Sequence, residues 1–368
     1  MTGLASRRLA IICAALMLST AGCSQKAPDA VATSNADTNN TALDGKPVVY
    51  DSSYTKGPPP ATPVPVWAFA MDPPETADLK RRPDDGVPRH VPNSTLSFSR
   101  TEVLKHTDVI DWHPDNHPAA PAIVMKGRAP QPAACAFCHL PNGIGQPENA
   151  PLAGLPVQYF IRQVKDLQSG NRKSADMRMA SFHGMAEIIA PRIHNDELAD
   201  AARYYASFAP RRYLKVIETT TVPKTKSTGY TMLPVPGGGT EPIGTRIIET
   251  PQDVERFHLN DSAATTLVYV PVDSIARGKK LVTSGANGKT VPCATCHAPT
   301  LGGTDDVPPL AGRGPSNLVR QIYNFRVRAR TSSHAQMMYP VVDKLSDGDI
   351  VDIVAYLSSL PPPPLPKR

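Results

Sequence analysis

Two short stretches concentrate the chemistry of this 368-residue chain: Cys135-Ala136-Phe137-Cys138-His139 and Cys293-Ala294-Thr295-Cys296-His297. Two cysteines three positions apart can hold a porphyrin through two thioethers, and the histidine that follows can then point its imidazole at the iron. This C-x-x-C-H spacing is the c-type haem attachment signal. A bare C-x-x-C reads as a redox pair or half a zinc site. Here the histidine after each pair and the separation of 158 residues (293 − 135) argue against one shared four-thiolate site. The expectation is two covalently attached haem c groups, held by Cys135, Cys138 and His139 and by Cys293, Cys296 and His297.

A histidine supplies one axial ligand, and the second must come from the opposite side. The candidates lie before the last helix of each motif's neighbourhood: Met177, Met179 and Met185 after the first motif, Met337 and Met338 after the second. A core methionine is usually packing, so position along the chain has to decide. His183 and His334 compete with them, and four upstream histidines, His90, His106, His113 and His117, could also reach a haem. More commonly such residues are surface groups or bond to the backbone. Arginines recur at matched positions, Arg162 with Arg320 and Arg172 with Arg330, and guanidinium forks suit haem propionates. Arg162 and Arg320 are the first choices for that role.

The remaining cysteines, Cys13 and Cys23, leave none for a disulfide among the haem motifs. Residues 1–22 carry Arg7 and Arg8, an apolar run from Leu9 to Leu18 and small residues at Ala21-Gly22, the pattern of an export signal. That run is too short to span a bilayer, which takes about 20 residues. Thr20-Ala21-Gly22-Cys23 is similar to a lipobox, with Thr20 where leucine is usual, so Cys23 is the expected lipidated residue of a membrane-tethered periplasmic protein. Export agrees with haem attachment, which bacteria carry out outside the cytoplasm. Forty prolines require much extended chain. Residues 23–63 read as a flexible tether. Residues 64–122 read as a Pro-rich leader whose Trp67, Phe69, Phe98 and Trp112 dock on a folded domain. A net charge of +6 is too mild for a nucleic-acid binder.

The chain also repeats itself. Both motifs are followed by Pro-Leu-Ala-Gly, at 151–154 and 309–312, then by Arg162-Gln163 and Arg320-Gln321, all at the offset of 158 (309 − 151). After a six-residue shortening, Ile193–Leu198 aligns with Leu345–Ile350 at an offset of 152 (345 − 193). Apolar spacing and capping residues predict helices over Val157–Leu167, Asn195–Phe208, Asn317–Arg328 and Ser346–Leu360, the last ended by Pro361–Pro364. Between the copies, Tyr213–Val222 and Thr265–Val272 are rich in β-branched residues and predict strands around a Gly237-Gly238-Gly239 turn. The expected architecture is mainly α. Two tandem haem domains, 123–210 and 273–360, are joined by a small β-containing insert, 211–272, and preceded by the extended leader. A short tail, 361–368, follows.

C-x-x-C-H, Leu-Ala-Gly, Arg-Gln in a helix, a methionine, then Leu345-Ser346-Asp347-Gly348-Asp349-Ile350 before the final helix: in this order each copy resembles a class I cytochrome c. The tandem resembles the di-haem cytochrome c(4) family over about 135–208 and 278–360. The resemblance implies an axial methionine seven residues before the Leu of the Leu-Ser-Asp segment. That selects Met338 in the second copy. In the first copy the seventh residue back is Ala186, and Met185 is the nearest candidate. The long leader and insert depart from the family. Resemblance and ligand set together imply an electron carrier in the periplasm, not an enzyme. It would pass electrons one at a time from a respiratory or dehydrogenase donor to a terminal oxidase or another cytochrome. The alternatives are a tethered cytochrome subunit of a periplasmic dehydrogenase and a catalytic di-haem oxidoreductase with one open haem.

Overall fold

The computed structural model describes residues 59–71, 85–147, 149–228 and 231–364. The export segment 1–22, the lipidation candidate Cys23, the tether up to residue 58 and the last four residues of the tail lie outside the described residues.

The leader holds the one-turn helix α1 (Arg100–Val103), and α2 (Ala122–Met125) lies at its junction with the first copy. Ser99 caps α1 by accepting from the Glu102 amide, while Glu102 returns a bond to the Ser99 amide. The first copy follows with α3 (Cys135–His139), α4 (Val157–Gln168), α5 (Ala180–His183) and α6 (Asn195–Ala206). Between α5 and α6 the chain passes through a π-helical turn, Gly184–Ile189, and a 3-10 turn, Ala190–Arg192. A buried cluster of Phe160, Val164, Leu198, Ala202, Tyr204 and Tyr205 joins α4 to α6; the leader adds Val109 to it and α2 adds Ile123 and Val124.

The insert forms β1 (Leu214–Thr219), β2 (Thr221–Pro223), β3 (Thr225–Thr228), β4 (Thr231–Pro234), β5 (Thr240–Pro242) and β6 (Ile248–Pro251), then α7 (Val254–His258) and β7 (Thr266–Pro271). The two strands read from composition do not form a hairpin. β1 runs parallel to β7, Leu214 opposite Thr266, and β6 pairs antiparallel on the other side of β7. Parallel strands need a long crossover, and β2 to α7 supply it.

The second copy comprises α8 (Ser274–Ser284), α9 (Ala294–His297), α10 (Pro315–Arg326), α11 (Ser333–Gln336), α12 (Tyr339–Val342) and α13 (Asp347–Ser359). Ser346 caps α13 and Asp349 closes the capping box. Helix α8 crosses α13 so closely that a Cβ on Gly278 would lie 1.8 Å from the Asp352 carbonyl oxygen, so only glycine fits there. The Arg277 guanidinium grips the Asp352 carboxylate through two 2.8 Å bonds beside this crossing.

The leader touches all three regions. Phe69 is buried with its ring edge-on to Tyr323, and Arg320 Nε donates to the Ala68 carbonyl at 2.6 Å. Trp112 is buried, packs edge-on against Phe98 and donates from Nε1 to the Leu259 carbonyl of the insert at 2.6 Å. No helix among the described residues is long and apolar enough to cross a membrane.

Candidate haem sites

Helix α3 carries the first C-x-x-C-H motif and α9 the last four residues of the second. In both, the chain turns back at once: the Gly145 amide donates to the His139 carbonyl and the Gly303 amide to the His297 carbonyl, each at 3.0 Å. The returning strand then places a carbonyl against each imidazole. His139 Nδ1 donates to the Ala150 oxygen at 2.8 Å, and His297 Nδ1 donates to the Pro308 oxygen at 2.8 Å. A carbonyl only accepts, so Nδ1 must carry the proton and Nε2 keeps its lone pair, the state a metal-ligating histidine requires. Burial holds both imidazoles below the usual histidine range, which keeps them neutral.

Just after each carbonyl comes the Ala-Gly turn. Gly154 and Gly312 sit at φ +68° and +69°, and a Cβ would strike Pro210 in the first copy and the Pro362 backbone in the second. Their amides donate at 2.9 Å to Tyr205 and Leu357, residues 152 apart (357 − 205), the same offset the sequence shows beyond its gap.

The cysteines differ in setting. Burial pushes the Cys135 thiol up to about 12 and Cys138 up to about 11. Cys293 is likewise pushed up to about 11, whereas Cys296 lies exposed. Thiols kept protonated in this way are poor zinc ligands and poor redox nucleophiles. Among the described residues there is no cluster of three or more His, Cys, Asp or Glu side chains that could hold a metal ion. Paired cysteines, a neutral histidine with a fixed tautomer and an apolar surround fit a thioether-bound haem.

The methionines separate cleanly. Met185, on the π-helical turn, packs against the cluster that contains Cys135, Phe137 and Phe160. Met179 is buried in the other cluster, where its sulfur accepts from Ser174 Oγ at 3.9 Å, and Met177 is exposed. In the second copy Met338 packs against the cluster that contains Cys293 and Ala294, while Met337 is 66% exposed. His183 ends α5 and His334 lies exposed on α11.

Among the leader histidines, the His106 ring lies tilted against Phe137 inside the first motif, centroids 4.2 Å apart. His113 donates to Asp261 at 2.9 Å in a buried pair, His117 bonds Asp111 at 2.6 Å, and His90 bonds the Leu96 carbonyl at 3.1 Å. The buried His113–Asp261 pair, with Arg256 on the second carboxylate oxygen, had no signal in the sequence because its members lie 148 residues apart.

Three of the four matched arginines, Arg162, Arg172 and Arg330, lie along the seam between the copies. Arg172 and Arg330 face each other in a two-residue antiparallel bridge: the Lys173 amide donates to Ala329 and the Thr331 amide to Asn171, both at 2.8 Å. Arg162 reaches across to Asp306 at 2.8 Å, and Arg320 holds the leader carbonyl described above. Burial pulls Arg172 down to about 10, with Arg330 as the second cause, so it remains charged at neutral pH. A further arginine, Arg313, lies buried at this seam. The sequence did carry its signal, an arginine directly after the second Pro-Leu-Ala-Gly where the first copy has Leu155.

The cytochrome c family matches residues 275–361. A cytochrome c-554(548) of Halomonas halodenitrificans is 37% identical over 68 residues, 18% of this chain and 82% of that protein. The chain belongs to the cytochrome c family. Longer likenesses extend across both copies. A cytochrome c4 of Azotobacter vinelandii is 27% identical over 66% of this chain and 91% of its own length. A protein of Thiomonas intermedia described as a thiosulfate dehydrogenase electron acceptor is 24% identical over 66% of this chain and 85% of its own length. This cytochrome therefore binds haem c covalently and works in electron transfer.

Proposed function

We propose that this cytochrome carries two haem c groups, one on each C-x-x-C-H motif, and relays electrons one at a time in the periplasm. Cys135 and Cys138 would form the thioethers of the first site and Cys293 and Cys296 those of the second. His139 and His297 would be the proximal ligands, with Met185 and Met338 as the opposite donors. The observation that carries this reading is the repeated imidazole-to-carbonyl bond, His139 to Ala150 and His297 to Pro308, with Met185 packed against the cluster that Cys135 joins and Met338 against the one that Cys293 joins. Haem c with histidine and methionine ligation supplies reversible one-electron chemistry at a raised potential. The protein's own part is to hold each imidazole neutral and oriented, to exclude water from the first attachment pair, and to keep the two copies in register along the arginine seam.

In this reading residues 1–22 direct export and a lipidated Cys23 anchors the chain to the membrane. Residues 23–63 are the tether and 64–122 the docked leader. The haem domains are 123–210 and 273–360, with the insert 211–272 between them and the tail 361–368 after them. The partners are a respiratory or dehydrogenase donor and an oxidase or cytochrome acceptor. An optical spectrum of the purified holoprotein tests the ligand set. It should show a methionine-to-iron charge-transfer band in the ferric state and no change on adding carbon monoxide to the ferrous state. Ready binding of carbon monoxide at one haem would overturn the pure carrier.

A second reading is supported by the Thiomonas relative, whose description names it the electron acceptor of a dehydrogenase. Here the chain is the tethered cytochrome partner of a periplasmic dehydrogenase. Co-purification with such an enzyme, and reduction by it faster than by other donors, separates this reading from the first.

A further inference from the structure

Arg313 is 5% exposed and rises from the turn that follows Pro309-Leu310-Ala311-Gly312. Its Nη1 donates to the Pro151 carbonyl of the other copy at 3.0 Å. Its Nε and Nη2 are both buried and make no hydrogen bond among the described residues. Arg162 and Arg330 each have a single such nitrogen, and both have other nitrogens engaged. Nε and Nη2 together form the side-on edge of a guanidinium, the edge that grips a carboxylate with two parallel bonds. This protein uses that edge twice elsewhere. Arg178 binds Asp176 through Nε at 2.9 Å and Nη2 at 2.8 Å, and Arg277 binds Asp352 through the same two atoms, both at 2.8 Å.

Burial pulls Arg313 down only to about 10, so the group is a cation at neutral pH, and the groups that raise it are Tyr213 and Tyr159 rather than a carboxylate. A buried cation with two of its three nitrogens unpaired costs several kcal/mol (order of magnitude) unless an anion meets it. Arg313 lies close along the chain to the carbonyls that orient both histidines. Pro151 adjoins Ala150, whose carbonyl orients His139, and the backbone of Arg313 lies five residues after Pro308 (313 − 308), whose carbonyl orients His297.

We propose that the Nε–Nη2 edge of Arg313 binds a haem propionate carboxylate at the boundary between the two copies. This rests on the two-haem reading above. The first copy has Leu155 at the matching position and so contributes no second fork. One propionate is then compensated by a full guanidinium, and its haem is favoured in the reduced state, because a nearby cation in a low-dielectric seam opposes the extra positive charge of ferric iron.

The test is a spectroelectrochemical titration of holoprotein with Arg313→Gln, Arg313→Lys and no substitution. Haem content is measured by pyridine haemochrome on each sample. In Arg313→Gln one of the two midpoint potentials should fall and become dependent on pH between roughly 5 and 8, as a propionate freed from its cation titrates, while the other potential stays put. Arg313→Lys, which keeps the charge and loses the fork, should fall less. Unchanged potentials in both variants overturn the assignment, and so does an equal fall of both, which marks a diffuse charge effect. Loss of haem in Arg313→Gln leaves the decision to Arg313→Lys on the same criterion. A second set in the Cys135→Ala/Cys138→Ala background identifies the owner of the carboxylate. A shift that persists belongs to the second haem and one that vanishes belongs to the first. Failure of the two-haem reading is seen separately, as a wild-type haem count of one per chain, and the single remaining potential then decides the fork by itself.

Discussion

The two copies keep the same floor under their histidines and different walls around it. In the second, an eleven-residue helix, α8, lies across α13, and Gly278 lets the backbones touch. In the first, the matching place against α6 is held by the four-residue α2 and by extended leader chain, with Val109, Ile123 and Val124 filling the cluster. The insert completes the wall: Asn142 Nδ2 donates to the Ser262 carbonyl at 2.8 Å and Gln146 bonds Asn260. Beyond the motif itself, the two copies share the imidazole-to-carbonyl bond and the Ala-Gly turn. The place that α8 takes in the second copy is taken in the first by a single helical turn and docked extended chain. The family match begins at residue 275, the second residue of α8, where that helix first appears.

If docked chain truly replaces a helix, cutting its anchor should cripple the first copy and spare the second. Trp112→Ala removes a buried ring and its bond to Leu259, a loss of about 3–5 kcal/mol. We expect the leader to become cleavable in limited proteolysis and the first copy to melt earlier. A variant that melts and resists protease like the parent would break the comparison. Gly278→Ala is the reciprocal change. The added methyl cannot avoid the Asp352 backbone, so the loss should lie at or above the top of the overpacking range of about 1–3 kcal/mol. Differential scanning calorimetry should show only the second copy destabilised.

A pH effect sharpens the contrast further. His117 in the leader donates from Nε2 to Asp111, and its Nδ1 faces the Tyr204 hydroxyl of α6 and the Pro118 carbonyl. With acceptors at both nitrogens the charged ring is favoured, and the bond to Asp111 raises the His117 pKa above the usual value. Its contribution to docking is therefore complete below about pH 6.5 and is lost as pH rises through the higher folded-state value. Protease sensitivity of the leader should rise with pH across that window, and Asp111→Asn should abolish the dependence. The smallest effect belongs to the seam. Asp306→Asn breaks the pair with Arg162, but Asp306 is mostly exposed, so the melting transition should move by no more than about 1 kcal/mol equivalent.

The sequence made the attachment motifs legible because their chemistry is local, three side chains within five residues. The repeat was legible because it leaves a constant offset, and the four helices expected from apolar spacing form to within two positions of their expected ends. The pairing of β1 with β7 was not, since register between strands about fifty residues apart leaves no mark on either. Nor was α8, whose need for Gly278 arises only when α13 lies against it. The choice among Met177, Met179 and Met185 needed the packing too. All three are methionines within nine residues, and only the fold sends Met179 into the opposite cluster.

The backbone bonds at the seam have one more consequence. Lys173 to Ala329 and Thr331 to Asn171 are the same bond written twice, since 331 and 329 are each 158 beyond 173 and 171. Such an edge is self-complementary and obeys two-fold symmetry. At this edge the two copies therefore meet as two identical subunits would across a two-fold axis, although they belong to one chain.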